Sequence, residues 1–244
     1  SSFAIGGNLC ITQEQRGTRE CIVAYDLNSG KPIWLHHDPA RFDEAMSGSG
    51  PRATPTIYKN RVVAVGATGL LTCLDIRSGR LLWQQQLIAD SQSIPVRYGL
   101  SASPLVYGTI VFVTVGGKNR TLVAFKINNG RQFWSSGDFP ASYSSPQEHT
   151  HLATTSILLF HGKGLSTFRP RDGAILWTHE WVTNPPELNN VCQPVPVPHR
   201  DPHRQRFFIS SGYGEGCALI EVSMKPPYTT RELWWNTKLK ANPH

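Results

Sequence analysis

The hydrophobic positions of this chain come in short runs that turn residues interrupt at close intervals. The stretch "ATPTIYKNRVVAVGATGLLTCLDIRSGRLLWQQQL" reads as four strands separated by "KN", "GATG" and "RSG", whose residues tolerate a positive φ angle. These strands are predicted at Thr54–Tyr58, Arg61–Val65, Leu70–Asp75 and Arg80–Gln85. No segment reads convincingly as a helix. The pattern therefore predicts an all-β protein.

One motif recurs along the chain, with one tryptophan in every copy. It reads "AYDLNSGKPIW" at Ala24–Trp34, "CLDIRSGRLLW" at Cys73–Trp83 and "AFKINNGRQFW" at Ala124–Trp134. A fourth copy, "TFRPRDGAILW", keeps the Gly and the Trp, and a fifth, "LIEVSMKPPYTTRELW", has lost the Gly turn. The five tryptophans are separated by 49, 51, 43 and 57 residues. Self-similarity at such a period indicates repeated structural units.

Four-stranded antiparallel units of this length, repeated in one chain, are typical of the blades of a β-propeller. We expect one propeller domain over residues 1–244, with blades at about 1–37, 51–88, 100–138, 144–181 and 190–237. The Asp and Gly of each motif are predicted to shape the turn between the third and fourth strands. The motif tryptophans are predicted to pack between neighbouring blades, and not to line a ligand site. They are Trp34, Trp83, Trp134, Trp177 and Trp234.

This repeat resembles the tryptophan-docking motif of quinoprotein-like (PQQ-repeat) β-propellers. The chain looks most like the bacterial PQQ-like propellers of unknown role. Family members usually have seven or eight blades, so five copies suggest a fragment that lacks two or three blades, and a closed five-bladed ring is the alternative. An open fragment would expose apolar sheet faces and favour self-association. The resemblance implies a bacterial periplasmic or otherwise extracytoplasmic location.

Composition and charge narrow the class of partner. The 244 residues include 21 Gly and 18 Pro, and the net charge is +7. The basic residues are scattered, and the densest cluster, "PHRDPHRQR", lies in a predicted loop, whereas nucleic-acid binders collect Lys and Arg on one face. Nucleic acid is therefore not predicted as a partner. A carbohydrate or anionic-polymer binding module stays open as an alternative function.

Other sequence signals concern processing, membranes and cysteines. No run of 18 or more apolar residues predicts a transmembrane helix, and no signal segment is present. The start at "SSFAI", without a methionine, suggests a processed or excised piece.

The five cysteines have no zinc-site spacing. Cys10 and Cys21 could form a disulfide across a hairpin that turns near Gln15–Arg16, but small buried thiols are the favoured reading.

Polar residues are predicted to converge at the mouth of the propeller. The turns between second and third strands, and the segments leading into each first strand, should emerge on the same face. Polar groups that converge at such a mouth form the default binding site for a protein, small-molecule or carbohydrate ligand. The candidate binding residues are Gln13, Glu14, Arg16, Arg52, Thr54, Ser103, Gln147, His149, Gln193, Tyr213 and Glu215.

Catalytic and metal sites are not predicted. The resemblance implies that a quinoprotein oxidoreductase would hold Ca²⁺ with a Glu, an Asn and an Asp, and would place PQQ between a Trp and a pair of adjacent cysteines. No two cysteines here are adjacent, and no Asp accompanies Glu14 and Glu215 at the mouth. His149 and His151 share one side of a strand but lack a third ligand. We therefore expect a non-catalytic binding or scaffolding propeller without cofactor. A fragment of a PQQ-dependent alcohol dehydrogenase, with PQQ and calcium, is the alternative.

Overall fold

The computed structural model describes residues 1–88, 96–183, 190–212 and 214–239. Within these ranges the chain forms 22 strands and no helix. The strands make five four-stranded antiparallel sheets and one two-stranded sheet. In each four-stranded sheet the strands are hydrogen-bonded in chain order, so every sheet is a simple meander. The predicted β-propeller fold with four-stranded blades is confirmed.

The strand bounds follow the repeat closely. The first sheet contains β1 (Ala4–Gly6), β2 (Leu9–Arg16), β3 (Arg19–Asp26) and β4 (Pro32–Asp38), and the small sheet contains β5 (Asp43–Glu44) and β6 (Gly48–Ser49). The second contains β7 (Thr56–Tyr58), β8 (Arg61–Val65), β9 (Leu70–Asp75) and β10 (Leu81–Gln86). The third contains β11 (Leu105–Tyr107), β12 (Ile110–Thr114), β13 (Leu122–Lys126) and β14 (Gln132–Ser136). The fourth contains β15 (Gln147–His151), β16 (Thr154–His161), β17 (Gly164–Phe168) and β18 (Ile175–Glu180). The fifth contains β19 (Val195–Val197), β20 (Arg204–Ser211), β21 (Gly216–Ser223) and β22 (Thr229–Asn236).

The chain divides into two compact units. Unit 1 comprises Ser1–Val115 with Val123–Phe133, and unit 2 comprises Gly116–Leu122 with the described residues from Trp134 onward. That the whole chain is one domain stays a prediction. No helix of the described residues is long and apolar enough to cross a membrane.

Each unit has a core between facing sheets. In unit 1 the first and second sheets enclose Ile11, Ile22 and Val62 together with Trp34. In unit 2 the fourth and fifth sheets enclose a cluster of buried side chains that includes Leu158, Phe160, Trp177, Phe207 and Ile220. The middle strands are buried on both faces, which explains why they read as nearly continuous apolar runs and not as alternating patterns.

The turn between third and fourth strands uses the Asp and Gly of the motif. Asp26 Oδ1 accepts hydrogen bonds from the backbone N–H groups of Asn28 and Ser29, at 3.2 and 2.7 Å. The N–H of Gly30 donates to the Asp26 carbonyl at 2.8 Å, and Gly30 has φ +67°. Hydrogen bonding to the Ser29 hydroxyl and backbone lowers the pKa of Asp26, because these bonds stabilise the carboxylate. A short Asp-led turn is thus built by side-chain to backbone hydrogen bonds.

Three motif tryptophans make the same contact with the following sheet. The Nε1 groups of Trp34, Trp83 and Trp134 donate to the backbone carbonyls of Ile76, Ile127 and Pro170, at 2.8, 2.7 and 2.9 Å. Each indole also lies against the motif glycine of that sheet, with ring carbons 2.6 Å from the ideal Cβ position of Gly79, Gly130 or Gly173. One side chain therefore fixes both the distance and the register between consecutive repeats.

The last two motif tryptophans have other surroundings. Trp177 is buried and tilts against Phe207 of the fifth sheet, with ring centroids 5.5 Å apart. Trp234 is 42% exposed, and its ring lies 6.1 Å from that of Phe208 in its own sheet. For Trp177 the difference matches the sequence, because the fifth copy lacks the Gly turn on which this indole would dock, and for Trp234 no further sheet follows among the described residues.

The cysteines are free thiols, so the disulfide considered between Cys10 and Cys21 is wrong. Cys10 pairs with Tyr25 and Cys21 pairs with Glu14, because β2 continues to Arg16 and the hairpin turns after that residue. The two thiols are thus out of register. Burial raises the pKa of the Cys73 thiol to about 11, as expected for a small apolar core residue.

Candidate functional site

The segments that lead into the first strands of unit 1 are joined by hydrogen bonds. The N–H of Ser2 donates to Thr54 Oγ1 at 3.3 Å. The N–H of Thr54 donates to Ser103 Oγ at 2.9 Å. Thr54 and Ser103, both predicted as binding residues, therefore lie together and link the lead-in segments of the first three sheets through backbone groups. Their polar atoms contribute to the architecture of this face.

Gln13 lies on β2 and is 7% exposed. Its Nε2 donates to the carbonyl of Ala53 at 2.6 Å and to that of Val65 at 3.2 Å. Both acceptors belong to the second sheet or to the segment leading into it, so Gln13 ties two sheets together. A buried amide that satisfies two carbonyls in this way holds the structure in place.

Arg52 holds the loop between the first two sheets. Its guanidinium donates to the carbonyls of Gly50, Tyr98 and Gly48 at 3.0, 3.1 and 3.0 Å, and to Ser47 Oγ at 2.5 Å. The same group lies 5.2 Å from the centroid of the Phe42 ring, in a cation–π arrangement. Most of the donors of this arginine are therefore directed at the loop and not at solvent.

Glu14 and Arg16 form an ion pair near the tip of the β2–β3 hairpin. Arg16 approaches Glu14 Oε2 at 2.8 Å and also donates to the Tyr25 hydroxyl at 2.9 Å, and that hydroxyl hydrogen bonds to Glu14. The hydrogen bond and the charge of Glu14 raise the pKa of Arg16. Both side chains are partly exposed, at 47% for Arg16 and 28% for Glu14.

The hairpin tip and the neighbouring loop make a continuous ordered surface, which the sequence did not predict. Gln15 Nε2 donates to the carbonyls of Gly17 and Ala40, both at 3.1 Å, and Arg41 donates to the Gly17 carbonyl at 2.6 Å and pairs with Asp43. We call residues 14–18 and 39–50 the tip surface. The strands β5 and β6 lie within it.

Met46 is the most exposed large apolar side chain of the tip surface, at 76%. The carboxylate of Glu44 accepts hydrogen bonds from the N–H groups of Met46 and Ser47, each at 2.9 Å, and so fixes the turn that carries Met46. Arg97 reaches both Glu44 Oε1 and Met46 Sδ at 3.5 Å. The only sequence signal for this turn is the "EAMSG" stretch, which has no hydrophobic period.

The predicted residues of unit 2 divide into two groups. Gln193 Nε2 donates to the Ser145 carbonyl at 3.4 Å, beside a hydrogen bond from the N–H of Ser144 to the Asn190 carbonyl at 3.2 Å. This pair joins the lead-in segments of the fourth and fifth sheets. Glu215 accepts a hydrogen bond from Trp235 Nε1 through its carbonyl, at 3.0 Å. Tyr213 lies outside the described residues.

His149 faces a cavity of about 120 Å³ between the fourth and fifth sheets. The residue is 8% exposed, its ring meets the Phe207 ring edge-on at 5.1 Å, and its Nε2 has no hydrogen-bond partner. Burial lowers the pKa of His149, and a hydrogen bond with Gln205 opposes that shift. Burial therefore favours the neutral form of the imidazole. Gln147, on the same strand, has a buried Oε1 that also has no partner.

A polar cluster between the first two sheets was missed by the sequence reasoning. His36 Nε2 lies 3.2 Å from Asp38 Oδ2, and Gln84 Nε2 donates to Asp38 Oδ1 at 2.8 Å and to Thr72 at 3.1 Å. Burial raises the pKa of Asp38, but the hydrogen bonds from His36 and Gln84 outweigh it, so the net shift is downward. The sequence gives no signal for this cluster beyond two adjacent histidines before an Asp.

Glu20 lies beside this cluster and is 7% exposed. Burial raises the pKa of Glu20 to about 6, although the N–H of Ala67 donates to its Oε1 at 3.3 Å. The nearby charge of Asp38 adds to the rise, and Arg52 opposes it. The small cavity beside Glu20 has a volume of about 10 Å³, which is about the room for one water molecule. The cluster is therefore too closed for a larger ligand.

The donor groups of the described residues do not fit a metal-dependent quinone site. No cluster of three or more His, Cys, Asp or Glu side chains that could hold a metal occurs among them. Glu14 is engaged by Arg16 and Tyr25. Both ring nitrogens of His151 are engaged as well, Nε2 with the Pro202 carbonyl at 2.6 Å and Nδ1 with Gln205. Of the two candidate carboxylates, Glu14 is thus already engaged by neighbouring side chains.

Comparison with known proteins gives the family and the fold. The family described as "Outer membrane protein assembly factor BamB" matches residues 18–244. No curated protein matches the chain significantly. Among solved structures, BamB from Moraxella catarrhalis is 17% identical with a TM-score of 0.62, over 96% of this chain and 62% of that chain. The quinohemoprotein alcohol dehydrogenase from Comamonas testosteroni is 11% identical with a TM-score of 0.63, over 96% of this chain and 42% of that chain.

A third similar structure is quinohemoprotein alcohol dehydrogenase ADHIIG from Pseudomonas putida HK5, 12% identical with a TM-score of 0.57, over 96% of this chain and 52% of that chain. At these identities the similarity concerns the fold alone. The chain spans less than two thirds of the length of each of the three structures. The same propeller architecture therefore occurs in an assembly factor and in enzymes.

Proposed function

We propose, from the premise that this chain belongs to the outer membrane protein assembly factor BamB family, that it is a non-catalytic scaffold that binds a protein partner. The partner we propose is an unfolded or partly folded outer membrane protein, because the family description names that assembly process. The proposed location is extracytoplasmic, in the compartment where such partners occur.

The observation that carries this proposal is how the candidate polar residues are used. Gln13, Arg52, Thr54 and Ser103 hold neighbouring sheets and loops through backbone groups. This leaves a preorganised surface and not a catalytic constellation. Binding residues are often carried by loops on a rigid scaffold, and fixing such loops in advance reduces the entropy lost on binding.

The tip surface is the part of unit 1 best suited to a protein partner. Hydrogen bonds from Gln15, Arg41 and Glu44 order it, while Met46 projects from it with 76% of its surface exposed. A flexible and polarizable methionine side chain packs well against varied apolar surfaces, which suits a scaffold that meets different unfolded clients.

The donor groups of the described residues support a proposed role without a cofactor. The dehydrogenase fold neighbours motivate the rival proposal of a quinoprotein oxidoreductase. Against it stand the engagement of Glu14 by Arg16 and the absence, among the described residues, of three metal-ligating side chains in one place. We therefore propose that no PQQ and no calcium are needed for function.

The binding test uses a fluorescently labelled, urea-unfolded outer membrane barrel protein, diluted into buffer with increasing amounts of this chain. Fluorescence anisotropy should report saturable binding. Met46→Glu should weaken it by about tenfold, since a charge would have to be desolvated at the contact. Leu27→Glu is the matched control, because Leu27 is 45% exposed at the opposite end of the same sheet as the hairpin tip. Absence of binding, or equal weakening by both variants, would contradict the proposal.

The rival is tested separately by adding PQQ and Ca²⁺. Equilibrium dialysis should show no stoichiometric quinone binding, and a dye-linked assay should show no oxidation of ethanol. Tight, stoichiometric quinone binding would contradict the scaffold proposal and support a quinoprotein oxidoreductase.

A further inference from the structure

The cavity beside His149 in unit 2 has the features of a small-molecule site, and its existence does not depend on the proposed scaffold role. It has a volume of about 120 Å³ and lies where β15, β16, β17 and β18 face the loop between β21 and β22. An apolar protein cavity of about 150 Å³ is large enough to bind benzene. At about 120 Å³ this cavity is of comparable size, so we consider ligands built on a single six-membered ring.

Two buried polar atoms in its lining lack hydrogen-bond partners. They are Nε2 of His149 and Oγ1 of Thr167, in residues that are 8% and 1% exposed. Leaving a buried polar group unsatisfied costs about 1–3 kcal/mol. Two such groups on one cavity wall point to a ligand that satisfies both.

The strand register places these two residues on the same face of the fourth sheet, on strands that are separated by β16. Gln147 pairs with Leu158, and Leu158 pairs with Thr167, so these residues share a face of the fourth sheet. His149, two positions from Gln147, lies on that same face. Because β15 and β17 flank β16, their backbones are about 10 Å apart. One polar group of a ligand cannot hydrogen bond to both residues at this separation, but a ring with a polar group at each end can.

The remaining lining sets the other properties of the ligand. Trp177, Leu176, Met224 and Tyr228 supply apolar and aromatic contacts, and the lining also includes the polar residues His151, Thr154 and Ser156. Among the described residues, no Asp, Glu, Lys or Arg lines the cavity, so these residues offer no counter-ion to a charged ligand. The rim includes Leu152, which is 62% exposed, so the cavity can be reached from solvent.

The turn at this rim has a strained backbone. Leu152 and Ala153, which join β15 to β16, have φ angles of 44° and 59°. These are left-handed conformations that residues other than Gly, Asn and Asp rarely adopt. The two residues form the loop of the β15–β16 hairpin, for which a turn with positive φ at both positions is favoured, and they place a leucine beside the opening.

We propose that this cavity binds a neutral, single-ring compound with a hydroxyl group at each of two ends, of the dihydroxybenzene class. One hydroxyl donates to His149 Nε2, and the other exchanges a hydrogen bond with Thr167 Oγ1, while the ring packs on Trp177. Because both ends of the ring are held inside a cavity of one-ring size, the ligand is a free compound and not a side chain of a polypeptide.

The test is isothermal titration of this chain with hydroquinone (under argon), phenol and benzene. Hydroquinone should bind more tightly than phenol, and phenol more tightly than benzene, by roughly three- to tenfold at each step, which is the contribution of one neutral hydrogen bond. Thr167→Val should reduce the affinity for hydroquinone by that factor and leave benzene binding unchanged, and His149→Phe should reduce the affinity for hydroquinone relative to that for benzene.

Thr167→Val is the decisive variant, because it has nearly the same shape and removes a hydroxyl that has no partner, so the fold should be retained. His149→Phe keeps a ring edge against Phe207. If His149→Phe does not fold, Thr167→Val alone decides the outcome. Hydroquinone binding no tighter than benzene, no binding of any of the three, or equal losses for hydroquinone and benzene in Thr167→Val would overturn the proposal.

Discussion

The indole of Trp83 lies against Gly130 of the following sheet, with a ring carbon 2.6 Å from where a Cβ of residue 130 would stand. The same indole donates to the Ile127 carbonyl at 2.7 Å, within the turn that contains Gly130. The glycine of one repeat thus has two functions: it closes its own turn at φ +68° and it gives the preceding tryptophan room to dock. This explains why the motif carries both residues in four of its five copies.

Gly130→Ala should destabilise unit 1 by more than the turn alone explains. The matched control is Gly30→Ala, since Gly30 occupies the same turn position at φ +67° with nothing within 4 Å of its Cβ position. Both variants place alanine in a left-handed conformation, which costs about 1–2 kcal/mol. Only Gly130→Ala also overpacks against an indole, so it should cost roughly 1–3 kcal/mol more in urea unfolding. Equal costs for the two variants would show that the indole does not depend on this glycine.

Trp83→Ala should cost about 3–5 kcal/mol of unfolding free energy, the range for truncating a buried large aromatic side chain. Trp134→Ala should behave alike, because its indole makes the same two contacts with Gly173 and Pro170. Trp83→Phe distinguishes the ring packing from the hydrogen bond, because it retains part of the packing but leaves the Ile127 carbonyl without its donor. It should therefore lower the unfolding free energy less than Trp83→Ala does. A loss below about 1 kcal/mol for either alanine variant would contradict docking between sheets.

The repeat made the fold predictable, because period and turn chemistry agree at each copy. Two of the strands predicted in the second repeat, Arg61–Val65 and Leu70–Asp75, have the observed bounds. Lys59 has the positive φ angle expected of the "KN" turn. Local pattern specifies such features because they depend on a few neighbouring residues.

The site was less predictable, because it depends on contacts between distant residues. Gln13 reads as a polar strand residue, and only the neighbouring sheet shows that its amide joins the Ala53 and Val65 carbonyls. The cavity in unit 2 unites His149 with Tyr228 of the following sheet. The strands β5 and β6 follow no period, since hydrogen bonds from Arg41 and Arg52 hold their loop in place of apolar burial.

Glu20→Gln should stabilise the protein at pH 8 and have little effect at pH 4. The pKa of Glu20 is raised to about 6, first by burial. The contribution of protonated Glu20 to the unfolding free energy is therefore fully present below the unfolded pKa of 4.5 and is lost as pH rises through 6, where the buried carboxyl ionises. At pH 8 the buried carboxylate costs at most about 2 kcal/mol, which glutamine removes while it can still accept from Ala67. Urea unfolding at both pH values measures this, and a gain of the same size at pH 4 would refute it.

Glu221→Gln should have the opposite pH dependence, in unit 2. Arg204, Arg206 and Arg231 approach the Glu221 carboxylate at 2.5, 3.0 and 2.9 Å. Burial raises the pKa of Glu221, but the hydrogen bonds from these arginines outweigh it and lower the pKa to about 2. Its stabilisation is present above the unfolded pKa of 4.5 and is lost as pH falls through 2.

At pH 7, Glu221→Gln should reduce the unfolding free energy by about 1–2 kcal/mol, a range that allows for solvent screening of the half-exposed arginines. Asp172→Asn is the matched control, because Asp172 pairs with Arg169 and Arg171 at an exposed site, where solvent screens the charges, and it should lower the unfolding free energy much less than Glu221→Gln does. Urea unfolding of Glu221→Gln and the wild type at pH 7 and pH 3 tests the dependence on charge: the loss of unfolding free energy in Glu221→Gln should shrink with acidification. A Glu221 deficit that persists undiminished at pH 3 would mean that the arginines do not depend on its charge.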